Sequence, residues 1–162
     1  MRIEAGKKML VVRYNTYNNY NFIKEHTKLI DINGYVWIYK VGKAIPNSSL
    51  EEVFNESKKI IFKAPKKDGG SYYLASLQEY NNGIPPIDGN YPSYYLEMKD
   101  MELMSGLNGT WFKITQIVLL SPKDIELLYL CRNNKSLDEI VNSTRTSILY
   151  VYSTKDREIG GE

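Results

Sequence analysis

The sequence predicts an α+β protein with a mixed sheet, curled or closed into a β-barrel, and helices packed on its outside. Segments rich in β-forming residues outnumber helical segments, and only some consecutive strands are joined through a helix, as parallel pairing requires. The 162 residues, 43% of them apolar, suit one ordinary domain with a buried core. We place a single domain at residues 9–153 and expect flexible termini at residues 1–8 and 154–162.

The first elements are a strand, a helix, a second strand and a second helix. Residues 9–13 form a short apolar run typical of a buried strand. Residues 21–32 repeat apolar side chains at helical spacing, and an Asn-Gly pair ends that helix. Residues 34–42, GYVWIYKVG, are rich in β-formers and bounded by glycines, which predicts a strand. Ser48 or Ser49 can cap a short helix after it.

The middle of the chain predicts strands and one long loop. Residues 59–64 form a strand, and the turn PKKDGG leads to its partner strand at residues 71–80. The loop at residues 81–93 is dense in Gly, Pro and Asn, and loops of this length are usually functional or disordered. Residues 94–98 form another candidate strand. Residues 109–120 alternate inward and outward side chains, which indicates a strand.

The last third predicts two helices and a closing strand. Ser121-Pro122 has the capping residue and the first-turn proline of a helix. Ser136 and Glu139 have the spacing of a capping box. The segment TSILYVYS at residues 146–153 closes the domain as a strand.

Charge and cysteine content narrow the class of protein. The net charge is +2, whereas proteins that bind nucleic acid through many phosphates carry a stronger basic bias. Cys131 is the single cysteine and lies in an apolar stretch, so we expect a buried thiol and no disulfide. The sequence has neither an apolar signal core nor an apolar run as long as a membrane span, so we expect a cytoplasmic protein.

The sequence lacks the motifs of common catalytic and metal sites. One histidine and one cysteine leave no zinc site, no Cys/His dyad and no Ser-His-Asp set. Neither glycine-rich phosphate motif occurs. His26 lies on the apolar face of its helix, which favours a structural histidine. We therefore expect no cofactor, no metal and no assignable catalytic residue.

Aromatic residues near strand ends are the remaining candidates for a site. The segment VRYNTYNNYNF at residues 12–22 alternates tyrosine and asparagine where a strand gives way to a helix. Trp37 and Trp111 are either core anchors or, one or both of them, walls of a pocket that Tyr14, Tyr17 or Tyr91 closes. Flat bases bind such pockets by stacking, while amide groups contact the base edge. An AT-rich genome would also explain the excess of tyrosine and asparagine.

The order of strand, polar N-x-Y turn (VVRYNTY), helix (NFIKEHTKLI) and Gly-aromatic-Val-Trp strand (GYVW) resembles the PUA-like superfamily, especially its YTH and EVE branches. The resemblance implies a barrel that captures a modified base, with Asn15 and Tyr17 near the base edge and Trp37 as a cage wall. Trp111 is a weaker candidate. YTH domains usually carry a serine-rich turn and a more basic surface, and this chain departs from both.

We expect a nucleic-acid-associated domain that captures a nucleobase, with phosphate contacts from Arg13, Lys40 or Lys43. Two alternatives remain open. One is a small hydrolase or nuclease, since the ASCH group of PUA-like proteins suggests lysine chemistry at Lys40 or Lys113. The other is a viral or defence-associated protein-interaction module, because tyrosine-rich surfaces suit interfaces. The sequence indicates no oligomeric state.

Overall fold

The computed structural model describes residues 1–100 and 109–160. Its elements, in chain order, are β1 (Arg2–Ile3), β2 (Met9–Arg13), α1 (Phe22–Asn33), β3 (Val36–Lys40), α2 (Asn47–Glu56), β4 (Lys59–Lys63), a 3-10 turn (Lys66–Asp68), β5 (Tyr72–Asn82), α3 (Tyr95–Asp100), β6 (Thr110–Leu119), α4 (Pro122–Ile125), β7 (Leu128–Leu130), α5 (Leu137–Ile140), β8 (Ile148–Ser153) and β9 (Arg157–Glu158).

The protein belongs to the α+β class, as the sequence predicts, and its main sheet is mixed. Within the described residues seven strands hydrogen-bond in the order β3-β6-β5-β4-β2-β8-β7. Strand β2 pairs parallel with β4 and antiparallel with β8, whereas β3 and β6 are antiparallel. No helix in the described part of the chain is both long and apolar enough to cross a membrane.

The chain forms two compact units. The first comprises Met1–Asn15, Glu51–Ala75 and Ile117–Glu162, and the second comprises Thr16–Leu50 and Ser76–Gln116. The core of the first unit, here called the aliphatic core, is aliphatic apart from Tyr72 and includes Met9, Ile61, Leu74 and Val151. Aromatic side chains form a buried cluster in the second unit.

Both ends of the chain contribute to the first unit. Strand β1 pairs antiparallel with β9, with Arg2 opposite Glu158 and Ile3 opposite Arg157. Ile3 and Ile159 are each only 2% exposed and belong to the aliphatic core. Residues 2–3 and 157–159 therefore carry strand pairing and core packing.

Local signals account for several elements. Asn21 caps α1, since its side chain accepts a hydrogen bond from the Lys24 N–H, and Gly34 ends the helix in the left-handed conformation. Ser121 and Asp124 form a complete capping box at α4, with Pro122 in its first turn. The predicted start of that helix is therefore confirmed, although it ends at Ile125 and strand β7 follows.

Other predictions from the sequence were wrong. The candidate strand at residues 94–98 is instead part of a helical segment, because Tyr94, Tyr95 and Met98 are buried at helical spacing. Ser136 precedes α5 without a side-chain capping bond. Cys131 is exposed, since β7 ends at Leu130 and the thiol lies in the turn that follows.

Candidate functional site

Four of the predicted site residues lie in one cluster of the second unit. Trp37, Trp111, Tyr17 and Tyr91 pack together with further aromatic side chains. The full set, here called the tyrosine cluster, is Tyr17, Tyr20, Tyr35, Trp37, Tyr39, Tyr91, Tyr94, Tyr95, Met98 and Trp111. These four residues are predicted from the sequence; Tyr20, Tyr94 and Tyr95 are not, although Tyr20 lies in the same Tyr/Asn stretch.

Three tyrosine rings of the cluster are nearly parallel. The ring centroids of Tyr20 and Tyr94 are 4.6 Å apart with an interplanar angle of 12°. Tyr17 is 6.4 Å from Tyr20 and 6.1 Å from Tyr94, at angles of 11° and 22°. Tyr17 and Tyr20 are half-buried, whereas Tyr94 is buried. Offset parallel rings with partly exposed members are the geometry that accepts another flat ring.

The two tryptophans lie deeper than these tyrosines. Trp111 is 0% exposed and Trp37 is 6% exposed. Tyr91 is half-buried and packs on both Tyr95 and Trp111, with centroid distances of 5.3 Å to each. The tryptophans therefore form the interior of the cluster, and its partly exposed area is tyrosine. Nε1 of Trp111 is buried without a hydrogen-bond partner among the described residues.

The loop after β5 is fixed to the cluster by hydrogen bonds. The carboxylate of Asp88 accepts from the Tyr35 hydroxyl at 2.6 Å and from Nε1 of Trp37 at 3.4 Å. Asn90 forms two further hydrogen bonds with the backbone of β3 and the residue before it. Its side-chain amide donates to Tyr35 O, and its main-chain carbonyl accepts from the Trp37 N–H. Burial raises the pKa of Asp88. The hydrogen bonds that its carboxylate accepts from Tyr35, the Asn90 N–H and Trp37 outweigh this effect, so the pKa is lowered overall.

Lys113 adds a cation to the same edge of the cluster. Its Nζ lies 4.4 Å from the centroid of the Tyr35 ring and 3.9 Å from the carboxylate of Glu79. A cation at this distance from a ring face is attracted by the ring quadrupole. The contact with the Tyr35 ring therefore gives Lys113 a stabilising structural role.

His26 is a buried structural residue of the same unit. It is 0% exposed, its Nδ1 lies 2.6 Å from Phe22 O, and its Nε2 lies 2.5 Å from the Tyr95 hydroxyl. Burial lowers the pKa of His26 to about 4. Both ring nitrogens are therefore satisfied within the protein.

Asn15 and Arg13 lie in the first unit and line a different cavity there, of about 270 Å³. Its lining residues are Arg13, Tyr14, Asn15, Lys63, Ala64, Pro65, Lys66, Val141 and Asn142, and we call it the basic cavity. Nη1 of Arg13 donates to Thr144 O at 2.9 Å, but Nε and Nη2 are buried with no hydrogen-bond partner among the described residues. Lys63 and Lys66 are not among the site residues predicted from the sequence.

Lys40 and Lys43 belong to the second unit. Lys40 is 8% exposed, and its Nζ donates to Val41 O at 3.3 Å and to Lys43 O at 3.1 Å. Burial lowers the pKa of this ammonium group. Lys43 is exposed. The three predicted phosphate-contacting residues are thus divided between the units, with Arg13 in one and the lysines in the other.

Three of the asparagines that alternate with tyrosines have local structural roles. Asn18 and Asn19 adopt left-handed backbone conformations, with φ of 46° and 65°, and Asn21 caps α1. Asparagine tolerates positive φ better than most other residues because its short side chain bonds locally. The Tyr/Asn stretch is therefore a turn that brings Tyr17 and Tyr20 to the tyrosine cluster.

No family model, no curated protein and no solved structure matches this chain. Among the described residues, no group of three or more His, Cys, Asp or Glu side chains is placed to hold a metal ion.

Proposed function

We propose that this protein binds a nucleobase, free in a modified nucleotide or unstacked from nucleic acid, against the tyrosine cluster of its second unit. The observation that carries the proposal is the parallel arrangement of Tyr17, Tyr20 and Tyr94 with its two half-buried members. Stacking on an aromatic side chain contributes roughly 1–3 kcal/mol per base. The near-neutral charge of the chain favours capture of one base over contact with a long phosphate backbone.

Within this proposal Tyr17 and Tyr20 supply the stacking surface, and Tyr91 covers the adjoining part of the cluster. Trp37 and Trp111 support these tyrosines from beneath and report on them by fluorescence. The exposed Lys43 is the candidate phosphate contact in this unit. Membership of the PUA-like superfamily is part of the same proposal, because the YTH and EVE branches that the sequence resembles bind modified bases at an aromatic cage.

The test is a tryptophan-fluorescence titration with modified nucleosides and short methylated oligonucleotides. We expect saturable quenching by at least one ligand, a reduced signal in Trp37→Phe, and affinity roughly 5- to 150-fold weaker in Tyr20→Ala. Tyr129→Ala is the matched control, because Tyr129 is a half-buried tyrosine of the first unit that also packs on a tyrosine ring, that of Tyr152. Equal affinities of the Tyr20 and Tyr129 variants would contradict the proposal.

A second candidate function is a protein-interaction module. Ile84 and Ile87 are 67% and 103% exposed in the loop after β5, where isoleucine gains nothing from burial within the chain. Exposed apolar side chains on a fixed loop favour contact with another protein. Ile87→Ser should then reduce self-association or partner binding in analytical ultracentrifugation while leaving the nucleoside titration unchanged.

A further inference from the structure

We infer that the basic cavity of the first unit binds inorganic phosphate or the phosphate group of a small ligand. This site is distinct from the tyrosine cluster and does not depend on nucleobase binding. It rests on three features of the cavity: uncompensated cations, unsatisfied guanidinium donors and a fixed strand framework.

The cavity brings together cations that have no anionic partner. Arg13, Lys63 and Lys66 all line it, and none of them forms an ion pair within the described part of the chain. Burial lowers the pKa of Lys63, and the charges of Arg13 and Lys66 lower it further. Asp138 acts in the opposite direction without an ion pair. Arg13 and Lys66 thus both disfavour the charged form of Lys63, an effect that a bound anion would offset.

The guanidinium of Arg13 has donors left over. Nη1 donates to Thr144 O at 2.9 Å, whereas Nε and Nη2 are buried and unpaired among the described residues. Buried donors of a charged group are costly when unsatisfied, and an unpaired one indicates a missing water or ion. The Nε and Nη2 edge of arginine is the fork that binds two oxygens of a phosphate or carboxylate.

The framework that holds these cations is a pair of adjacent strands. Arg13 ends β2 and Lys63 ends β4, and the parallel register places the two residues opposite each other. Residues in direct register project to the same face of a sheet, so the two charges converge. The Tyr14 N–H donates to Lys63 O at 3.2 Å just beyond the pair. Lys63 is also held by its own bonds, since Nζ donates to Gly70 O at 2.5 Å and to Ala64 O at 3.2 Å.

Size and neutral lining residues indicate the ligand class. At about 270 Å³ the cavity is slightly smaller than the roughly 300–1,000 Å³ of pockets for drug-sized ligands, which suits a phosphate with a small substituent. Asn15 and Asn142 supply neutral amides, and Val141 and Pro65 supply an apolar wall. The net charge of +2 disfavours an extended nucleic acid as the source of the phosphate.

The experiment is isothermal titration calorimetry of the whole chain with inorganic phosphate, at constant ionic strength set with chloride. We expect saturable binding, weakened about fivefold by Lys66→Ala and roughly 10- to 100-fold by Arg13→Gln. Lys67→Ala is the control, because Lys67 lies next to Lys66 in the same 3-10 turn, is exposed and does not line the cavity. Lys66 is itself exposed, so its variant keeps the test valid if Arg13→Gln does not fold.

Three further titrations define the ligand. A 5′-mononucleotide should compete with phosphate, and the corresponding nucleoside should not. Tyr20→Ala should bind phosphate as the unmodified chain does, which separates this site from the tyrosine cluster. The inference is overturned if phosphate does not bind saturably, or if Lys66→Ala and Lys67→Ala behave alike. Tighter binding of a single-stranded oligonucleotide that Lys66→Ala abolishes would replace the small ligand with a nucleic-acid backbone.

Discussion

The hydroxyl of Tyr95 lies 2.5 Å from Nε2 of His26, and both side chains are buried. Nδ1 of His26 lies 2.6 Å from Phe22 O, and a carbonyl only accepts, so Nδ1 carries the proton. Nε2 of the neutral ring is therefore an acceptor, and Tyr95 donates to it. The Tyr39 N–H donates to the same hydroxyl at 3.2 Å, which completes a chain of hydrogen bonds across the second unit.

The burial of His26 makes the stability of the fold sensitive to acid. Burial lowers the pKa of His26 from 6.5 to about 4, so between these values the unfolded chain binds a proton that the folded chain does not. The contribution of neutral His26 to the free energy of unfolding is fully present above about pH 6.5. It falls by on the order of 3 kcal/mol as the pH drops through about 4.

Denaturant unfolding of wild type and His26→Gln across this pH range tests the prediction. Glutamine does not titrate here, so the free-energy gap between the two proteins should shrink as the pH falls. The titration of carboxylates changes the free energy of unfolding of both proteins equally, so it cancels in the difference between them. A gap that stays constant between about pH 7 and pH 4 would contradict a neutral buried His26.

Tyr72→Phe should stabilise the protein. The Tyr72 hydroxyl is buried with no hydrogen-bond partner among the described residues, and burial raises the pKa of the phenol to about 12. Removing an unsatisfied buried hydroxyl should raise the free energy of unfolding by about 1 kcal/mol. Tyr95→Phe is the matched control, since it removes a satisfied hydroxyl and should lower the free energy of unfolding by about 1–3 kcal/mol. Two changes of the same sign in urea unfolding would count against this interpretation.

Asn19 should tolerate glycine better than alanine. It is exposed and has a φ of 65°, a conformation that costs most L-residues about 1–2 kcal/mol. We expect Asn19→Ala to lower the free energy of unfolding by about 1 kcal/mol and Asn19→Gly to change it by less than about 0.5 kcal/mol. Thermal unfolding of both variants measures the difference. Equal effects would show that the turn relaxes without the left-handed residue.

The fold class was predictable because its signals are local. The apolar run at Met9–Arg13, the amphipathic spacing of Phe22–Asn33 and the cap at Ser121 each lie within a few residues of the element they define. The segment at residues 94–98 was misassigned because a run this short fits strand and helix equally, and burial of Tyr95 and Met98 decides it.

The candidate sites were less predictable because they depend on long-range pairing. Tyrosines that meet in the tyrosine cluster come from segments about seventy residues apart, such as Tyr20 and Tyr94. Arg13 and Lys63 converge only through the parallel register of β2 and β4, which no local motif specifies. The sequence suggested Arg13 as a phosphate contact but gave no reason to associate it with Lys63.

Gly109 packs against Tyr39 of the tyrosine cluster, where there is no room for a side chain. A methyl group at this position would overlap the ring of Tyr39, which is 6% exposed and packs on Trp111 at a centroid distance of 4.7 Å. The ring has little room to move in a buried, close-packed environment. We therefore expect Gly109→Ala to lower the free energy of unfolding by about 1–3 kcal/mol and to shift the emission of Trp111.

A double-mutant cycle with Tyr39→Leu identifies the cause. If the overlap with the ring is responsible, the penalty of Gly109→Ala should be smaller in the Tyr39→Leu background than in wild type, because the shorter side chain leaves space for the methyl group. Additive penalties would instead assign the cost to the backbone of Gly109, whose carbonyl accepts a hydrogen bond from the Gly83 N–H at 3.0 Å. Since Tyr39 and Trp111 both lie in the tyrosine cluster, a coupled result would also predict weaker nucleobase binding by Gly109→Ala, measurable in the same fluorescence titration.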